Sequence, residues 1–209
     1  MIDNYNALTL GQYMRVNEVL ESPGEDLDKQ VEIISILSGI PLSEVLLLPL
    51  ADYSSMAAKT AFLREPCHPT EIKEDWTYGY LVPTLDFRKI NTAQYIDFQT
   101  FSKDFPKSLP QLLSVFLVPE GKAYNDGYDI AEVQKVVDTM PLPDALGLAA
   151  FFFVRFVTLT ADSLTSWASD LKKTKDETKK KEIGERIKMV ETLLGTVGDG
   201  LRMLTGPAN

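Results

Sequence analysis

Seven apolar residues near the end of the chain, Ile183, Ile187, Val190, Leu194, Val197, Leu201 and Leu204, recur at alternating spacings of four and three without a miss. Only an α-helix places such positions on one side, so the segment reads as one long helix with a continuous apolar seam. Gly195, Gly198 and Gly200 each weaken a helix by about 1 kcal/mol relative to alanine, so the last turns must lean on something. A second long helix is predicted to begin near Pro143, a residue that suits the first helical turn. It runs through Phe151, Phe152, Phe153 and Phe156 to Leu164, Trp167 and Leu171. Two covers fit the seam: this helix, folded back as an antiparallel hairpin that turns near 172–180, or another subunit.

The first third predicts three helices. Thr9 and Gln12 form a capping box that opens a helix over 10–21, and Ser22-Pro23-Gly24 ends it. Glu25, Asp26 and Asp28 place negative charge where the dipole of a helix over 26–38 favours it, and Gly39 with Pro41 stops that helix. Ser43 is read as the cap of a short apolar turn over 45–48, and a third helix is predicted over 50–63. These elements make an acidic three-helix unit over 1–65. A Pro-rich linker around Cys67 and His68 leads into a second unit, 66–209, a helical core that holds the C-terminal hairpin.

Residues 76–90 are aromatic and β-branched, and Pro83 interrupts them, which predicts a small β-hairpin with strands over 76–82 and 85–90. Trp76, Tyr78 and Tyr80 would then share one strand face. Such a face needs covering, by the protein's own helices or by a partner. Asn91 with Gln94 reads as another capping box, opening a helix to about Ser102; Ser108 with Gln111 repeats the device, and Asp129 with Glu132 caps a further helix. The fold class expected is mainly α: a helical bundle with a small ribbon around 76–90 and a long C-terminal helical hairpin.

Chemistry is sparse. One cysteine excludes an internal disulfide, and one histidine removes most hydrolase and metal constellations. Cys67 and His68 are sequence neighbours, which face each other poorly as a dyad. Neither a zinc, calcium or phosphate-loop spacing nor a dinucleotide fingerprint in strand-turn context occurs. The chain is therefore expected to be non-enzymatic, with no catalytic residue, metal or cofactor.

Charge is uneven. The net value is -9, and residues 1–65 hold ten acids against four bases. Residues 172–188 reverse this, with eight bases against four acids, including Lys172, Lys173, Lys179, Lys180 and Lys181. The overall acidity argues against a broad nucleic-acid grip, because phosphate affinity comes from clustered Lys and Arg. The basic stretch reads either as a solvated helical surface or as a contact for an acidic partner or passing nucleic acid. The start lacks a signal-peptide pattern, so the protein is expected to stay in the cytoplasm where it is made. Residues 142–161 reach membrane-spanning length only by including Pro143, Asp144 and Arg155, and are read as a core helix.

One order of motifs resembles a known group. Leu10-Gly11-Gln12-Tyr13, Asp28-Lys29 leading into Ile33 to Gly39, Trp76, Thr92 to Phe98, Val118-Pro119, Gly127-Tyr128-Asp129 and Phe151-Phe152-Phe153 together span about residues 8–157. The pattern is similar to small proteins encoded among the structural genes of tailed phages of Bacteroidetes, crAss-like phages included. The resemblance implies either a virion ring subunit of the neck and tail, below the portal, or a tail-assembly chaperone that leaves before maturation. It also implies as partners other neck and tail proteins and further copies of itself, with DNA passing through without sequence-specific binding. A ring subunit needs two unlike faces, which the acidic helical unit and the 183–204 seam could provide. The expected location is the virion, after synthesis in the bacterial host's cytoplasm.

Overall fold

The computed structural model describes the backbone of residues 1–86, 89–174 and 176–205, and side-chain surroundings for all of these except 159–164, 186, 189, 193, 194, 196, 197 and 199–205. Helices dominate, with one small two-stranded antiparallel sheet. The protein is a mainly α helical bundle.

The Thr9 capping box is present: its hydroxyl accepts from the Gln12 amide at 3.2 Å, and Gln12 Oε1 accepts from the Thr9 amide at 3.1 Å. Helix α1 therefore spans Leu10–Glu21. Just before it, Leu8 and Leu10 pair with the strand-like turn that precedes the long helix, through Leu10 N to Met140 O and Leu142 N to Leu8 O, both 2.8 Å. The chain's start is thereby fastened to the root of its last hairpin. Helix α2, Asp26–Ser38, ends at Gly39, whose φ of 72° is left-handed and suits a residue without a β-carbon.

Helix α2 is buried on two sides. Ile33, Ile36 and Leu37 join the main core, whereas Ile34 and Val31 meet Val45 in a separate small cluster. That second cluster is completed by α3, Leu42–Val45, and α4, Leu50–Lys59, both entered from a proline. Ser43 lies inside α3 and does not cap it, since Pro41 already stands at the cap with its fixed φ. The third helix is shorter than expected: α4 ends at Lys59, and Thr60–Arg64 tightens into a 3-10 turn.

The sheet is present, but its second strand is not 85–90. Strand β1, Leu81–Pro83, pairs with β2, Leu117–Pro119, in the register Leu81 to Pro119, Val82 to Val118 and Pro83 to Leu117. Residues 87 and 88 lie outside the described residues, and the rest of 85–90 carries no strand. A tight turn at Tyr78–Leu81, closed by amide bonds in both directions, leads into β1. Among the described residues no local hairpin forms, because β2 follows the most apolar helix, which delivers it to β1 already buried.

That helix is α6, Leu109–Phe116, enclosed on nearly every side. Its C-terminal carbonyls lie where water cannot reach and need donors. Gln94 on α5, Thr92–Ser102, gives its side-chain amide to Val115 O at 2.7 Å, and the Thr84 backbone gives to Phe116 O at 2.7 Å. Asn91 does cap α5, accepting from the Gln94 amide at 2.9 Å. The reciprocal half of that expected box is absent, because the Gln94 side chain is committed to α6. Ser108 does stand at the start of α6, but its hydroxyl donates to Phe101 O instead of capping the helix, and Gln111 Oε1 is buried without a hydrogen-bond partner. Asp129 caps α7, Ile130–Asp138, through the Ala131 amide at 2.9 Å, and Glu132 pairs with Lys135 instead of closing a box.

The long helix α8 spans Leu142–Lys173, and α9 spans Glu177–Thr205. The first half of α8 completes the main core: Phe152 lies 5.0 Å from Phe116, which lies 5.2 Å from Phe98, which in turn meets Phe156 at 4.8 Å. Among the described residues no helix is long and apolar enough to cross a membrane.

Candidate functional site

Helices α8 and α9 form the antiparallel hairpin that the seam and the phenylalanine run foreshadow. A β-carbon on Gly198 would stand 3.5 Å from Phe153 Cζ, and this register puts the turn between Lys173 and Glu177. Asp176 caps α9, accepting from the amides of Thr178 at 2.9 Å and Lys179 at 3.2 Å. Val190 is buried, while Ile183 and Ile187 are half-buried, so this part of the seam meets the chain's own α8. The side chains of Leu194, Val197, Leu201 and Leu204 lie outside the described residues.

The hairpin outruns the core. From Phe156, seventeen more residues carry α8 to Lys173, about 25 Å at the helical rise. Among the described residues from Val157 to Lys188 none is fully buried. Two helices cover only one side of each other, so Trp167, Leu171, Ile183 and Ile187 each keep part of their surface in water. Around them stand the lysines: Lys172, Lys173, Lys179 and Lys181 are exposed, and Lys180 pairs with Glu177 at 2.6 Å.

The aromatic trio does not form a strand face. Trp76 and Tyr78 stack at 6.2 Å with ring planes 9° apart, and both pack on the main core. The Tyr78 hydroxyl donates to Thr139 O at 3.0 Å. Only Tyr80 of the three is exposed, at 50%.

A larger apolar feature escaped the sequence reading. Val45 and Leu48 turn inward from the α3–α4 corner, and their neighbours turn out: Leu42 is exposed, Leu46 is 67% exposed, Leu47 83% and Leu50 79%. Four leucines within nine residues form a ledge of roughly a few hundred Å², the size that marks a contact site on a soluble protein. Glu44 within α3 and Asp52 in the first turn of α4 flank it. The signal was legible in principle. A four-residue helix between two prolines has one inward side, and this stretch holds more leucine than that side can bury.

An open groove of about 1160 Å³ runs beside α8, floored by Ala150, Phe151 and Val154 and walled by Ile72, Glu74 and Leu85. Arg155 ties the two walls together. It donates to Leu85 O at 3.0 Å, pairs with the Glu74 carboxylate, and lies 4.7 Å over the Phe151 ring. A guanidinium so engaged acts as a strut between them.

The cysteine and the histidine lie in different surroundings. Cys67 is buried in the main core, where burial pushes its thiol up to about 11, and His68 faces solvent. Among the described residues no three His, Cys, Asp or Glu are grouped so as to hold a metal ion. No protein-family model, curated protein or solved structure matches this chain.

Proposed function

We propose that this chain is a non-enzymatic structural protein of a tailed-phage virion, one subunit of a ring in the neck or tail that joins portal to tail and lets DNA pass. The observation that carries this reading is the leucine ledge. A side chain such as Leu47 gains nothing from 83% exposure in an isolated molecule, whereas a neighbouring protein that covers it gains the usual free energy of apolar burial. The net charge of -9 also suits a ring whose lumen repels DNA and lets it slide. Partners on this reading are other neck or tail proteins and further copies of the chain.

The ledge supports a second reading, a tail-assembly chaperone that covers an apolar surface of a tail protein and then departs. Mass spectrometry of purified particles separates the two. The ring reading expects the chain in mature virions at a stoichiometric level; its absence there removes that reading and favours the chaperone.

A further inference from the structure

We infer that the leucine ledge of one copy receives the lysine-bearing hairpin tip of a second copy, a head-to-tail contact that rests on the ring reading and names its two faces. Each surface lacks what the other has. The ledge offers exposed Leu46, Leu47 and Leu50 within a segment, residues 1–65, that holds ten acids against four bases. The tip, within residues 172–188, holds eight bases against four acids, and its seam residues are left half-covered by a two-helix hairpin. A third element laid along Trp167 and Ile183 would complete that burial, and leucines flanked by carboxylates are the matching chemistry. Lysine stems lie along apolar surface while their ammonium groups reach the acids.

The contact forms between molecules. The ledge elements α3 and α4 pack on α2 and on the 3-10 turn after α4, whereas α9 packs on α8 and α5. Because the two faces are unlike, each copy uses one face toward each neighbour. Such heterologous contacts close into a ring when the rotation permits.

The experiment measures the mass of the full-length protein in solution by light scattering, across protein concentration, for the wild type and two variants. The tip variant carries Lys172→Glu, Lys173→Glu, Lys179→Glu and Lys181→Glu; the ledge variant carries Leu46→Ser, Leu47→Ser and Leu50→Ser. All seven positions are exposed, and unchanged circular dichroism confirms that each variant folds. The wild type is expected to oligomerise, more weakly as salt rises, and each variant alone to be monomeric. Mixed, the variants are expected to form a one-to-one dimer and nothing larger, because the tip variant keeps its ledge and the ledge variant keeps its tip. An oligomer that survives in both variants overturns this contact and leaves the ring reading standing. A wild type that stays monomeric at every concentration overturns both.

Discussion

Gly147 on α8 lies directly beneath the backbone carbonyl of Thr70, closer than any β-carbon would allow, and Ile72 Cγ1 stands only 3.0 Å from where that carbon would be. The same stretch is pinned by the Thr70 amide donating to Pro143 O at 2.9 Å. Gly147→Ala therefore sets two effects against each other. Alanine favours the helix by about 1 kcal/mol, but the steric conflict with backbone costs about 1–3 kcal/mol. The conflict wins, and chemical denaturation should show a net loss. Gly184→Ala is the control: a β-carbon there meets nothing within 4 Å, so the midpoint should rise.

Gln94→Leu keeps the size of a buried side chain and removes the donor to Val115 O. A carbonyl at the buried end of α6 is then left with water excluded and no partner. The expected loss is about 1–3 kcal/mol, read from the denaturation midpoint, with far-UV dichroism unchanged.

Stability should fall at alkaline pH. Burial pushes the Cys67 thiol from 9.0 up to about 11 and the Tyr5 phenol from 10.0 up to about 12, and burial followed by the bond to Asp97 raises Tyr124 as well. Each group holds its proton more firmly in the folded chain than in the unfolded one. Their contribution is therefore full below about pH 9 and is lost as pH climbs from 9 towards 12. Thermal melts across that range should show a declining Tm. Cys67→Ala should flatten the decline between pH 9 and 10 and leave the tyrosine part.

Polar replacement of the ledge should cost little in the isolated molecule. Leu47→Ser removes a side chain that touches little, so its change in unfolding free energy should stay within about 0.5 kcal/mol. Val45→Ser on the same turn is the contrast, because Val45 is buried in the small cluster. A loss of about 1–3 kcal/mol is expected there.

What could be read from the residues follows a physical line. The bounds of α1 and α2 were legible because their signals are local: Thr9 with Gln12 at one end, Gly39 at the other. The hairpin was legible because a seam and a phenylalanine run each demand a cover. The partner of β1 was not, since pairing Val82 with Val118 depends on where α6 delivers the chain and no pattern near Val82 records it. Gln94 misled for a related reason: its spacing from Asn91 fits a capping box, and the distant end of α6 claimed its side chain. The ledge was missed because leucine usually signals interior, although so short a stretch between two prolines has too little inward side for the leucines it holds once Val45 and Leu48 have taken it.

The two-sided burial of α2 has a last consequence for how the molecule breathes. Helices α3 and α4 pack on α2 chiefly through Ile34 and Val31, so they can loosen together while Ile33, Ile36 and Leu37 hold α2 in place and the 3-10 turn after α4 stays anchored through Phe62 and Leu63. Amides of that corner would exchange with deuterated water well before those of α6, and a docked neighbour would slow them without touching a single residue of the main core.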